Sequence, residues 1–178
     1  VDISKDIVNW GKNNKYPADN LLYWFNNNSI HGAICKGKAR YLAGTKIECD
    51  LEGPQVDEFM QANPFEDWHS LSKKYHLDRV ICGGAFILIN SNAIGVPVQF
   101  FHLDFAKCRI SPCQRFVLYS KDWDKKYQYA PIKIPLWREG LVGTSCYLYK
   151  SYYPTESELA GTYPKPEYEN CTQDVDTF

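Results

Sequence analysis

Four histidines, His31, His69, His76 and His102, and seven cysteines, Cys35, Cys49, Cys82, Cys108, Cys113, Cys146 and Cys171, are the residues with the strongest intrinsic claim to chemistry. A structural zinc centre needs them paired at short, regular spacings; there is no CxxC, and no histidine falls at ligand distance from a cysteine pair, so no metal site is expected. Nucleophilic hydrolysis would show a GxSxG elbow or a similar local signal, and none is present. Gly83-Gly84 precedes an apolar run, but neither GxGxxG nor GxxxxGK[ST] surrounds it; it reads as a helix stop and implies no nucleotide cofactor. The carboxylate pairs Glu66-Asp67 and Asp122-Asp124 could serve a metal or acid–base role. Beside Trp68 and Trp123 they read equally well as a first helical turn and a polar turn. In His102-Leu103-Asp104 the histidine reads as a hydrogen-bonded strand-end residue. Lys36, Lys38 and Arg40 could meet phosphates, though three cations are also an ordinary solvated helix face. Catalytic, cofactor-binding and metal residues are therefore expected to be none. An intracellular hydrolase or nucleic-acid-processing enzyme with an unfamiliar site is the alternative, and a monomeric binding module is another.

The elements that would carry these residues begin with Tyr16-Pro17, where Pro17 suits the first position of a helix through Leu21, Leu22, Trp24 and Phe25. Asn26 to Asn28 break it. A second helix runs from Ser29, as N-cap, to Gly44, with Ile30, Ala33, Ile34, Gly37 and Tyr41 as an apolar packing face and the cations on the other side. With almost no loop between them, the two helices should form a hairpin or corner. Thr45 to Leu51 alternates as a short strand does, and the segment from Pro54 to Asn63-Pro64 reads as a short polar helix. A longer helix follows, with Phe65, Trp68, Leu71 and Tyr75 on one face and a shift to Leu77, Val80 and Ile81 before Gly83-Gly84 ends it.

From Ala85 the pattern turns to strands: Ala85 to Asn90, a turn over Ser91 to Gly95, then Val96 to Asp104 as a hairpin. Arg115 to Ser120 is a third strand after the loop FAKCRISPCQ, Asp122 to Gly140 an excursion, and Ser145 to Tyr153 a final strand. Helices first and strands later, without βαβ alternation, predict an α+β fold with a mainly antiparallel sheet. Residues 1–153 are expected to form one domain and residues 154–178, with three prolines, an irregular connection.

At 178 residues the chain is large enough for one core. A net charge of −1 gives no overall reason to expect nucleic-acid or anionic-membrane binding. No apolar run approaches the roughly 20 residues that span a bilayer, and the opening residues lack the pattern of a secretory signal. The odd cysteine count without pairs reads as reduced, intracellular usage. Two sequons, at Asn27 and Asn170, would matter only in an exported protein. A start at Val1 and an unpunctuated ending, CTQDVDTF, lead us to expect part of a longer polypeptide.

The order WGKNNKYPADNLLYWFNNNSIHGAICKGKARYLAG, a hairpin ending in FHLDFAKCRIS, then VLYSKDW, then a tyrosine-rich strand and YPKPEYENC resembles the N-terminal part of tailed-bacteriophage portal proteins, in particular those of phages and prophages from Bacteroidetes-type hosts. The likeness runs from Trp10 to about Asn170. It rests on Asn14 and Tyr16-Pro17, Asn28-Ser29 and His31, Lys36-Gly37-Lys38 and Gly44, Asp104 and Arg109, the turn Ser120-Lys121-Asp122-Trp123, and Tyr163-Pro164 with Pro166. No one of these is diagnostic; their order and spacing are fairly specific. The resemblance implies a structural subunit, not an enzyme, with the wing-like region present and the stem and clip absent. It also implies a homo-oligomeric ring, a dodecamer, at a capsid vertex, assembled in the bacterial host cytoplasm and resident in the virion. Capsid protein, terminase large subunit and a head–tail adaptor are the implied partners, with double-stranded DNA passing through the channel non-specifically and no membrane. Trp10, Trp123 and Trp137, taken as exposed aromatics, and Lys36, Lys38 and Arg40 are the candidate subunit or capsid contacts.

Overall fold

Pro17 starts a helix, as its fixed φ favours. The computed structural model, which describes residues 7–10, 14–48, 60–121, 123 and 131–150, winds Pro17–Leu22 as a π-helical stretch that runs on into α1, Tyr23–Asn27. Asn28 leaves helical geometry at φ −112°, ψ 105°, and α2, Ser29–Ala43, begins at once. The cap of α2 is Asn28, not Ser29: its side chain accepts from the His31 N–H at 3.0 Å. Gly44 closes α2 at φ 73°. No loop separates α1 from α2, and Gly32 sits where a Cβ would come within 2.7 Å of the Phe25 carbonyl oxygen, so the corner needs a residue without a side chain there.

Residues 45–48 form no strand, and 49–51, the rest of the predicted strand, lie outside the described residues, as does the predicted polar helix over 54–59. Where that helix was expected to end, Gln61–Asn63 (β1) pairs antiparallel with Glu66–Asp67 (β2). Asn63 explains the difference. Its Nδ2 donates to the Phe100 carbonyl at 2.7 Å and its Oδ1 accepts from Phe65 N–H, so a buried asparagine turns the chain and fastens it to a distant strand. The next helix, α3, is Trp68–Cys82, capped by Asp67, which accepts from Ser70 N–H at 2.7 Å, and ended by Gly83 at φ 75°. Phe65 falls in the preceding turn and is 88% exposed, off the predicted helix face.

Strand β3, Gly84–Ser91, is central in a three-stranded sheet, between β4, Pro97–Leu103, and β8, Gly143–Lys150, antiparallel to both. The predicted hairpin of β3 and β4 is present, with Asn92 Oδ1 accepting from Ile94 and Val96 N–H in its turn. The loop predicted after β4 holds a 3₁₀ turn, Phe105–Lys107, and a strand, β5, Cys108–Ile110. Strand β6, Phe116–Tyr119, pairs with β5 and with β7, Ile132–Pro135, inside the predicted excursion. Leu136 then bridges Cys146, and Trp137 N–H donates to the Cys146 carbonyl at 2.8 Å, which ties the second sheet to β8. The architecture is α+β with antiparallel sheets, as the order of elements predicted. Residues 151–153 of the last predicted strand and the predicted connection 154–178 lie outside the described residues.

Because strand side chains alternate, β3 serves two cores. Phe86 joins Trp10, Cys35, Ile81, Phe105, Val117 and Ile134 in the main one, while Ile87 and Ile89 join Ala62 and Leu71 in a second. A strand covered on both faces reads as a continuous apolar run, which is why AFILI shows no alternation. The shift of apolar face along α3 has the same cause: Trp68, Leu71 and Tyr75 face the second cluster, Leu77, Val80 and Ile81 the first.

Candidate functional site

The groups with chemical potential are mostly engaged in holding the fold. Asp67 is spent on the α3 cap, and its hydrogen bonds with Ser70 lower its pKa. Glu66 pairs with Lys74 and accepts from Asn63 Nδ2. His102, next to last in β4, contacts Asp78 Oδ2 through Nε2 at 2.7 Å, and that oxygen also accepts from Phe105 N–H at 3.3 Å. This ties β4 and the 3₁₀ turn to α3, the strand-end role the sequence suggested. Burial raises the thiol pKa of Cys82 and Cys108 and pushes Cys146 up to about 12, so these three are packing residues. Exposed Cys113 is lowered, chiefly by its hydrogen bond with Ser111. Among the described residues no group of three histidine, cysteine or acidic side chains converges as a metal site, and no helix is long and apolar enough to cross a membrane.

Two of the three tryptophans expected at the surface are inside. Trp10 is 2% and Trp123 5% exposed, and the Arg109 guanidinium lies between them, 5.0 Å from one ring centroid and 4.9 Å from the other. Arg109 is itself 1% exposed. Its Nε donates to Asn14 Oδ1 at 2.6 Å, its Nη1 to the carbonyls of Ala106 and Cys108 at 2.8 and 2.6 Å, and its Nη2 to the Asn14 carbonyl. Asn14 Oδ1 also accepts from Trp10 N–H, and Trp123 Nε1 donates to the Lys107 carbonyl at 2.9 Å. A planar cation stacked on aromatic faces and hydrogen-bonded in its own plane is satisfied without exposure, and it draws both tryptophans inward. The expectation that Trp10 and Trp123 are surface aromatics is thereby corrected. Trp137 is partly exposed beside the second cluster.

Helix α2 holds the other candidates, and its packing face is the reverse of the one predicted. Gly32, Cys35, Ala39 and Ala43 are buried, whereas Ile30 is 73%, Ile34 63% and Tyr41 86% exposed. At about 100° per residue the two sets lie on opposite sides of the helix. The small residues win the core because they let α2 approach its neighbours closely, and Cys35 shares a cluster with Leu77, Val80 and Ile81 of α3. Lys36, Lys38 and Arg40 are exposed, as expected; Lys36 Nζ rests 5.5 Å from the Phe25 ring centroid. The stripe Ile30–Ile34–Gly37–Tyr41 is left facing solvent, with open space around Gly37.

On the other side of α3 an apolar groove of about 510 Å³ is walled by Trp68, Tyr75, Phe100, Trp137 and Tyr147 and floored by Leu71 and Ile87. Its size falls in the range of ligand and peptide sites. Sequence reasoning marked Trp137 as a contact but missed the groove. Its lining comes from α3, β3, β4 and β8 together with Ile47, beyond the end of α2, and Trp137, ahead of β8, and no local pattern signals their convergence.

No family model matches the chain, and no curated protein does. Solved structures do. A chain in the virion of a native gene transfer agent (GTA) particle superposes with a TM-score of 0.59 at 15% identity, over 82% of this chain and 38% of that one. Chains in the neck of an empty GTA particle computed with C6 symmetry and in the neck of a native GTA particle computed with C12 symmetry each superpose at 0.60, with 14% identity and the same coverage. The likeness is one of fold, and this chain spans 38% of the length of each of those chains.

Proposed function

We propose that this chain is the wing-type part of a portal-type subunit, a structural component of a ring at the vertex of a phage-like particle. The observation that carries this reading is the shared fold with chains from GTA necks, one computed with C12 symmetry, over 82% of the chain. The sequence resemblance to the N-terminal part of portal proteins supports it independently, through residues such as Asn14 and Arg109 that prove to be structural partners. On this reading the protein is not an enzyme, forms a twelve-subunit ring, and acts with capsid protein, terminase and a head–tail adaptor around passing double-stranded DNA. The near-neutral chain suits a channel that does not grip its cargo by sequence.

Light scattering on the size-fractionated full-length protein, with negative-stain imaging of the same fractions, tests the reading. A closed ring of about twelve subunits is the expected result. A monomer at all concentrations would overturn it.

A further inference from the structure

Independently of the ring, we infer that the apolar groove is filled by the chain's own Tyr163-Pro164-Lys165-Pro166, docked as a polyproline II segment on the aromatic walls. The lining decides what fits. It is almost wholly apolar, with the rings of Trp68, Tyr75, Phe100, Trp137 and Tyr147 as walls. An ordinary peptide laid there would leave its N–H groups without acceptors, whereas proline has none to lose and its fixed φ lowers the entropy of ordering. Aromatic-lined grooves are the recurrent partners of such segments. The hydroxyls in the lining, of Ser72, Tyr75 and Tyr147, are donors for the carbonyls that the segment turns outward. Polyproline II has three residues per turn, so Tyr163 and Pro166 share an edge about 9 Å apart and enter together, while Lys165 lies off that edge. Pro164 and Pro166 are the one place in the sequence where two prolines fall within three residues.

The chain's own path delivers this segment. Strand β8 gives Tyr147 to the groove, and two residues on, Tyr149 packs edge-on against the groove's Tyr75, with ring centroids 6.1 Å apart. The chain therefore leaves its last described strand, at Lys150, on the margin of the groove. Twelve residues, 151–162, come before Tyr163; extended they span up to about 40 Å, ample for a return. A tether of that length keeps the segment at high effective concentration, which favours its own groove over a neighbour's. Charge agrees. The described residues carry 15 lysines and arginines against 7 acids, whereas residues 151–178 carry 6 acids and one lysine, so the segment approaches a body of opposite sign.

Photo-cross-linking of the full chain, with p-benzoylphenylalanine incorporated at Tyr163, tests the docking. The expected products join position 163 to lining residues such as Tyr75, Phe100 and Trp137, located by mass spectrometry. In a mixture of light and heavy isotope-labelled protein they should stay within single chains. Pro164→Ala combined with Pro166→Ala should lower their yield several-fold, and Lys165→Ala, which removes no proline, should leave it unchanged. Cross-links elsewhere, none at all, or cross-links joining light to heavy chains overturn the docking, as does a yield indifferent to the two prolines. Capture of the lining by the same probe placed at Phe59, in the stretch that follows Ile47, overturns it in favour of that stretch as the occupant. None of these outcomes bears on the ring reading, which stands or falls by its own test.

Discussion

Asn14 and Arg109, 95 residues apart, are joined by two hydrogen bonds, from Nε to Oδ1 at 2.6 Å and from Nη2 to the Asn14 carbonyl. Asn14 reaches this position at φ 55°, a left-handed conformation that asparagine tolerates better than most residues. One residue thus fixes the start of the helical half of the chain to the start of the second sheet. It also holds the cation that Trp10 and Trp123 enclose.

Asn14→Ala leaves buried donors of Arg109 and Trp10 short of an acceptor, and we expect a loss of about 3 kcal/mol, read from urea denaturation midpoints. Asn14→Gly removes the same side chain but relaxes the backbone, so it should be milder by about 1 kcal/mol. Equal losses would show that φ at this position stores no strain.

Two glycines of α2 should respond with opposite sign. Gly32→Ala puts a Cβ 2.7 Å from the Phe25 carbonyl oxygen and must open the α1–α2 corner, lowering stability by about 1–3 kcal/mol. Gly37→Ala meets nothing and should raise the thermal midpoint, by the roughly 0.5–1 kcal/mol that separates alanine from glycine inside a helix. Thermal unfolding of the two variants side by side checks both.

The cap of α2 gives a sharper comparison. Asn28→Ala should cost about 1 kcal/mol, because the His31 N–H loses its acceptor, while Ser29→Ala should be close to neutral. Circular dichroism melts of the pair decide which residue caps.

His76 supplies a pH dependence. Burial, and then the positive charge of Arg79, whose Nη1 lies 3.4 Å from His76 Nδ1, hold its pKa below the ordinary value. The unfolded chain therefore binds this proton more readily than the folded one. Stability is undiminished above about pH 6.5 and falls as pH drops from there through the lowered folded value. His76→Gln should flatten that decline relative to the parent in urea titrations between about pH 7 and pH 5. Identical slopes would place the cause in other groups.

Much of this fold is legible in the chain because its signals are local. Pro17, Gly44 and Gly83 bound helices through their own backbone preferences, and the run from Ala85 to Asn90 with its asparagine turn specifies a hairpin over a few residues. The sequence by itself determined the α+β class and the shift of face along α3; the expected order of helices before strands holds except for the small β1–β2 pair that precedes α3. What tertiary structure decided is which surfaces meet. Ile30, Ile34 and Tyr41 have the periodicity of a buried stripe, yet the core took Gly32, Cys35, Ala39 and Ala43, since a close helix approach favours small side chains over greasy ones and hydropathy does not measure distance. Trp10 and Trp123 went inside because Arg109 arrives between them from far along the chain. Strands β5 and β7 are too short to carry a pattern and take shape by pairing with β6, with Val8 N–H also donating to the Ile110 carbonyl of β5. The groove likewise has no sequence of its own: four elements and the segments carrying Ile47 and Trp137 build it only after each has packed for other reasons.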